Sequence, residues 1–176
     1  QNKKIDRVHP EQQAAHFEII TKYTEKIGME HYEISNFSQP GFRSKHNSNY
    51  WKGVPYLGLG PSAHSYNKNT RQWNVANNQL YFSTLEKNEL PFELEQLPLA
   101  TKYNEYMMIS LRCMEGFSLN YIFQNFGPEF HRHTLKITQG YLAKNCLTET
   151  SQGFTLTKSA KFFADGIASD FFWINE

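Results

Sequence analysis

The sequence predicts an α/β segment followed by a mostly helical module. Three observations carry that prediction. A helical pattern runs through a glycine into an alternating strand over residues 10–35, which is the repeating step of an α/β layer. After Pro98 the pattern changes to three helices, a hairpin signal and a last helix, the order of a winged-helix-like module. Apolar residues make up 39% of the 176 residues and aromatic residues 15%, so a core is within reach and rings supply much of its packing.

Pro10 suits a first helical position. Phe17, Ile20 and Ile27, together with Ile19 and Tyr23, keep helical spacing up to a stop at Gly28. Glu30–Ser35 follows, with Tyr32 and Ile34 alternating against Glu33, and predicts a strand. Residues 36–52 are polar, with a turn at Pro40-Gly41. Val54–Leu59 predicts a second short strand. Ser65–Asn67 and Arg71–Asn74 predict a hairpin around Lys68-Asn69, and Leu80–Leu85 a short helix ending near Asn88. Leu90–Pro98, with its prolines and acids, predicts a linker and a domain boundary.

Beyond it, Leu99–Glu115 predicts a helix closed by Gly116. Ser118 caps a short helix that stops at Gly127, and Pro128–Asn145 is a third. Cys146–Thr150 and Phe154–Thr157 flank Ser151-Gln152-Gly153, a hairpin signal, and Lys158–Phe172 predicts a final amphipathic helix.

Charge narrows the function. Lys and Arg number 18 against 17 Asp and Glu, a net charge of +1. From Lys102 onward bases and acids also balance, and the hairpin between Cys146 and Thr157 holds no Lys or Arg. Phosphate-driven binding needs converging cations, so nucleic acid is not the expected partner of the winged-helix-like half. A packing or lid role is the expected one, and a winged-helix module that docks nucleic acid or a protein is the alternative. No run is long enough to span a bilayer and no signal-peptide pattern opens the chain, so the cytoplasm is the default location. Cys113 and Cys146 form no CxxC pair, which supports neither a disulfide framework nor a structural zinc. Gln1 in place of a methionine is expected of a processed or excised piece.

Two segments could carry chemistry. Arg43–Trp51 combines an imidazole (His46), an amide (Asn47) and two flat rings (Tyr50, Trp51). A neutral imidazole ligates iron and aromatic faces stack on a planar macrocycle, which suits haem or another tetrapyrrole. The plainer alternative, favoured on spacing alone, is a loop histidine followed by rings that anchor the loop. Gly58-Leu59-Gly60-Pro61-Ser62-Ala63-His64 is the second segment. Its glycines let backbone approach a ligand closely, and a tight turn is the alternative. His131 and His133 stand two apart on a predicted helix, poor spacing for one metal. Glu33 could reach a ligand, face water or pair with Arg43.

Taken together, three strings identify a resemblance. They are His31-Tyr32-Glu33-Ile34-Ser35-Asn36-Phe37, His46-Asn47-Ser48-Asn49-Tyr50-Trp51, and Tyr56–Ser65 around Gly58 and Gly60. In this order and spacing the chain resembles the HemW family, radical-SAM proteins long labelled oxygen-independent coproporphyrinogen III oxidase-like. The HNxxYW string separates HemW-like proteins from HemN oxidases. The resemblance implies a parent with an N-terminal partial (β/α) barrel, whose CxxxCxxC loop holds a [4Fe-4S] cluster beside S-adenosylmethionine. No such motif is present in this sequence. The chain then corresponds to the C-terminal half. Residues 1–75 would be the last part of the barrel, 76–97 a helix and linker, and 98–176 the winged-helix-like HemN C-terminal domain.

The resemblance further implies binding of haem or porphyrin and delivery to client haemoproteins. His46 is then the candidate axial ligand, with Asn47, Tyr50 and Trp51 shaping its site. Gly58, Gly60, Ala63 and His64 match a segment that approaches S-adenosylmethionine in HemN relatives. A fragment without the cluster has no catalysis of its own. Oxidative decarboxylation of coproporphyrinogen III by the parent is the alternative. Losing the front of a barrel would leave strand edges at Glu30–Ser35 or Val54–Leu59, and self-association there is expected.

Overall fold

Pro10 opens α1 (Pro10–Lys26) in the computed structural model, which describes residues 8–174. The polar lead-in from Gln1 and the acid Glu176 lie outside the described residues. The chain passes Gly28 and enters β1 (Glu30–Glu33), so the helix–glycine–strand step is present. Its continuation differs from the expected layer. Residues 34 and 35 turn, and β2 (Asn36–Ser38) folds back antiparallel, pairing Glu30 with Ser38 and His31 with Phe37. The cause is Glu33, whose Oε2 accepts the Ser35 N–H at 2.9 Å and the Asn36 side-chain amide, which closes the turn two residues before the expected strand end. The other edge of β1 is covered as well. Ile34 N donates to Arg112 O and Met114 N donates to Tyr32 O, both at 3.1 Å. The open edge expected along Glu30–Ser35 is therefore filled from within the chain.

The turn at Pro40-Gly41 is as expected, but the polar stretch after it is not a loop. Lys45–Trp51 forms α2. Val54–Leu59 is not a strand. A single bridge between Tyr56 and Tyr66 is the pairing it makes, because Pro55 lacks an N–H and Gly60, at positive φ, turns the chain away. β3 (His64–Tyr66) and β4 (Thr70–Asn74) form the expected hairpin. Asn67 Oδ1 closes it by accepting the N–H groups of Asn69 at 3.0 Å and Thr70 at 2.7 Å. α3 (Asn78–Leu85) starts at Asn77, whose side chain accepts the Leu80 N–H. The expected linker contains a strand instead. β5 (Phe92–Gln96) pairs antiparallel with all of β4, giving the order β3-β4-β5. Phe92 and Leu94 alternating with Glu93 and Glu95 is a period of two that the flanking prolines disguised.

The C-terminal elements come in the expected order: α4 (Leu99–Arg112), α5 (Leu119–Phe126), α6 (Pro128–Ala143), and the hairpin β6 (Leu147–Glu149) with β7 (Phe154–Leu156). Ser118 Oγ accepts the Tyr121 N–H and caps α5. The last expected helix is shorter than its pattern, a single 3-10 turn at Lys161–Phe163 leading into α7 (Ala164–Asp170).

Two compact units result. One joins the chain up to Ser44 with Tyr103 onward, and the other is Lys45–Lys102. The boundary expected at Leu90–Pro98 falls inside the second. The first unit holds a well-packed core in which Tyr103, Met107, Leu111, Phe117, Ile122 and Phe171 are at most 1% exposed. Burying each such side chain is worth roughly 1.5–3 kcal/mol. The second unit is different, for within it only Asn74 and Leu97 are buried. Every strand pairing among the described residues is antiparallel.

Candidate functional site

Because Lys45–Trp51 is helical, its side chains are spaced by the helical period. His46 and Tyr50 lie four residues apart on one face, and Asn47 and Trp51 on the neighbouring one. The His46 and Tyr50 rings meet edge to face, with centroids 4.9 Å apart at 87°. Tyr50 in turn meets Tyr56 at 4.7 Å and 74°, and Tyr56 lies 6.0 Å from Tyr66. Reciprocal backbone hydrogen bonds of 2.9 Å lock Tyr56 to Tyr66. The result is a ladder of one imidazole and three phenols within the second unit. His46 and Tyr50 are exposed, while Asn47 and Trp51 are half-buried. Of the four residues singled out in the sequence, His46 and Tyr50 meet, while Asn47 and Trp51 take the adjoining face. Sequence spacing missed Tyr56 and Tyr66, whose signal was an aromatic on each side of the glycine turn.

The Gly58–His64 segment is a built turn. Gly58 N donates to Ser65 Oγ at 3.0 Å, and a side chain at Gly58 would collide with the His64 carbonyl. Gly60 takes φ +100°, open to glycine and strained for other residues, and its N–H donates to the Tyr81 hydroxyl at 3.2 Å. Asn74, 8% exposed at the end of β4, donates from Nδ2 to the Gly60 carbonyl at 2.9 Å and more distantly, at 3.5 Å, to that of Gly58. Ala63 O accepts the Asn74 N–H at 2.9 Å. Asn74 thus holds the turn from inside, a role its place at the end of the expected strand Arg71–Asn74 does not announce. With the carbonyls drawn inward, Leu57 and Leu59 are 75% and 81% exposed. His64 is exposed on β3, its ring 6.2 Å from that of its cross-strand partner Trp73.

The remaining candidates resolve as structural. Glu33 pairs with Arg112 rather than Arg43, with Arg112 Nε 2.9 Å from its Oε1, and is 3% exposed. His133 Nε2 bonds to the Phe171 carbonyl at 3.0 Å. Among the described residues no group of three or more His, Cys, Asp or Glu is placed to hold a metal ion. Burial pushes the Cys113 thiol up to about 12, so it stays protonated, and Cys146 Sγ faces the Lys144 carbonyl. These two thiols do not fit an iron–sulfur cluster, which takes thiolates. The α2 ladder does fit a tetrapyrrole, since it offers one accessible imidazole beside aromatic faces. A concavity lined by Val8, His9, Pro10 and Gln13 includes none of these residues. Among the described residues no helix is long and apolar enough to cross a membrane.

The chain is similar to several known proteins. It is 27% identical over 162 residues to the heme chaperone HemW of Bacillus subtilis, a match that covers 92% of this chain and 43% of that protein. It is 34% identical over 107 residues to HemW of Mycobacterium tuberculosis, covering 60% of this chain and 27% of that one. HemW of Lactococcus lactis is 35% identical over 100 residues, covering 57% and 26%. The chain therefore spans less than half the length of these relatives. Among solved structures it resembles Escherichia coli coproporphyrinogen III oxidase (HemN), described as a radical SAM enzyme, with a TM-score of 0.66 over 93% of this chain and 42% of that one. At 15% identity this likeness is one of fold. No protein-family model matches the chain.

Proposed function

We propose, from the similarity to HemW heme chaperones, that the chain is the C-terminal portion of a haem-binding protein of this kind, with α2 as the haem-binding element. The observation that carries the reading is the ring ladder. His46 presents an accessible imidazole at the end of a row formed by Tyr50, Tyr56 and Tyr66. A histidine is the ordinary proximal ligand of haem iron, and flat rings bury its apolar faces. In this reading His46 is the axial ligand and Tyr50, with Asn47 and Trp51 on the adjoining face, walls the macrocycle. Haem itself would be carried as cargo toward client haemoproteins. Exposure of the ladder suits a ligand that is taken up and given away, whereas an enclosed pocket would retain it.

The Gly58–His64 turn belongs to the same reading. Gly58, Gly60, Ala63 and His64 would line the approach of S-adenosylmethionine in a parent that carries a radical-SAM barrel and its [4Fe-4S] cluster, with the chain before residue 76 completing that barrel and the chain after residue 97 forming a winged-helix-like domain. The apolar side chains that residues 45–102 leave exposed support a setting in which further polypeptide covers them. The likeness to HemN, being one of fold, does not bring porphyrinogen decarboxylation with it.

Titration with ferric haem tests the reading. The 176-residue chain should bind haem with a Soret band that shifts on binding, and His46→Ala should change both band position and affinity. Identical spectra and affinities for the two proteins would remove His46, and with it the proposed site.

A further inference from the structure

The string His31–Phe37 has no part in the site so far, and the residues of its strand supply one. Tyr32 is 5% exposed, and its hydroxyl accepts the Ser44 N–H at 3.3 Å. The Arg43 guanidinium carbon lies over the same ring, 5.6 Å from its centroid. Arg43 Nε donates to Glu30 Oε2 at 3.0 Å and Nη1 donates to Glu115 Oε1 at 2.7 Å, while Nη2 lies 2.8 Å from Met114 Sδ. One planar fork therefore joins β1 to the residues that follow α4. A lysine could satisfy one of those carboxylates but not both, and it has no flat face to lay on Tyr32.

Arg43 and Ser44 are the last two residues before α2, and His46 is its second residue. The helix is seven residues long, too short to hold itself by its own hydrogen bonds. Anchored backbone directly ahead of a helix restrains the dihedrals from which its first turn grows. We propose that Arg43, held by Tyr32, Glu30 and Glu115, restrains the backbone from which the first turn of the His46 helix grows. This rests on the haem reading for its consequence but not for its mechanism.

The experiment therefore has two arms, both on the 176-residue chain. In amide hydrogen exchange, Arg43→Ala should speed exchange across residues 45–51 about tenfold, while α5 and α6 exchange as in the unsubstituted protein. Arg43→Lys should fall between the two, and Glu115→Gln, which removes the charge from one of the contacts, should give a smaller increase in the same segment. Unchanged exchange over 45–51 in Arg43→Ala, or an equal increase throughout the chain, overturns the proposal. In the second arm, Arg43→Ala should weaken ferric haem binding roughly five- to tenfold with the bound Soret band where the unsubstituted protein has it, because His46 is intact. An unchanged affinity, or the band shift of His46→Ala, also overturns it. If the unsubstituted chain binds no haem, the haem reading falls and the exchange arm alone decides for or against Arg43.

Discussion

His31 shows how a single side chain ties stability to pH. Its ring stacks on Phe37 at 4.2 Å and 19°, with Phe17 5.8 Å away. Nε2 lies 2.9 Å from the Ile34 carbonyl, so the proton belongs on Nε2, and Nδ1 is buried without a partner. Charging the ring would put a second proton on that isolated nitrogen. Burial accordingly lowers the pKa below the ordinary histidine value, and the positive charge of Lys161 adds to the effect, against the opposing bond to Ile34 and the nearby Glu33. Lys161 is itself pushed down by burial, and its Nζ donates to the His31 carbonyl. A histidine with a lowered folded-state value takes up its proton more readily when unfolded. Its contribution is thus present above about pH 6.5 and is lost as the pH falls toward the folded value. Urea midpoints at pH 7.5 and pH 5.5 should show this loss, and His31→Gln should flatten it; equal slopes in the two proteins would exclude His31. Cys113 makes a second residue-scale prediction. With its thiol held near 12 by burial, a pH 8 alkylation followed by peptide mapping should label Cys146 and spare Cys113.

Among the elements, the turn at Gly58–His64 and the hairpin β1–β2 are held by single polar side chains. Asn74 donates to the carbonyls of Gly58 and Gly60 from a buried position. Asn74→Ala should cost about 1–3 kcal/mol in chemical denaturation, since it leaves the 2.9 Å acceptor without its donor. Asn74→Asp, which cannot donate, should do no better, and full recovery by Asp would disprove the donor role. In the hairpin, Glu33 is buried and accepts from Ser35, Asn36 and Arg112, while Arg112 also reaches Asp165 at 2.5 Å. Removing the guanidinium leaves a carboxylate in the interior. Arg112→Ala should therefore destabilise by the order of 3 kcal/mol, and Glu33→Gln in the same background should recover part of it. A double-mutant cycle with no coupling would show that the pair is energetically idle.

Over the molecule as a whole the two units are unequal. The first has an aromatic and aliphatic core with a buried hydrogen bond of 2.8 Å between Tyr103 and Thr134. The second buries little more than Leu97 and Asn74, and leaves Leu57, Leu59, Phe82 and Leu94 each more than half exposed. A segment of that size without a core does not meet the entropy of its own folding. Residues 45–102 produced alone should accordingly show no cooperative thermal transition by circular dichroism, and a sharp two-state melt would refute the claim. Exposed leucines of this kind also favour association of the whole chain, which light scattering can measure.

Read alone, the sequence determined the helices with strong punctuation and the hairpins at Lys68-Asn69 and Ser151–Gly153. Capping residues, prolines and turn residues act within a few positions of where they stand, so their effect is visible in the string. Its three strings, taken together, also indicated the similarity to HemW chaperones that the comparisons then showed. Tertiary structure alone decided that the HNxxYW string is a helix, that Val54–Leu59 is no strand and Phe92–Gln96 is one, and that Glu33 meets Arg112. The strand at Phe92–Gln96 and the place of Glu33 depend on a partner many residues away: β4 for β5, the end of α4 for β1. Local propensity is nearly balanced in such segments, and the distant contact settles them.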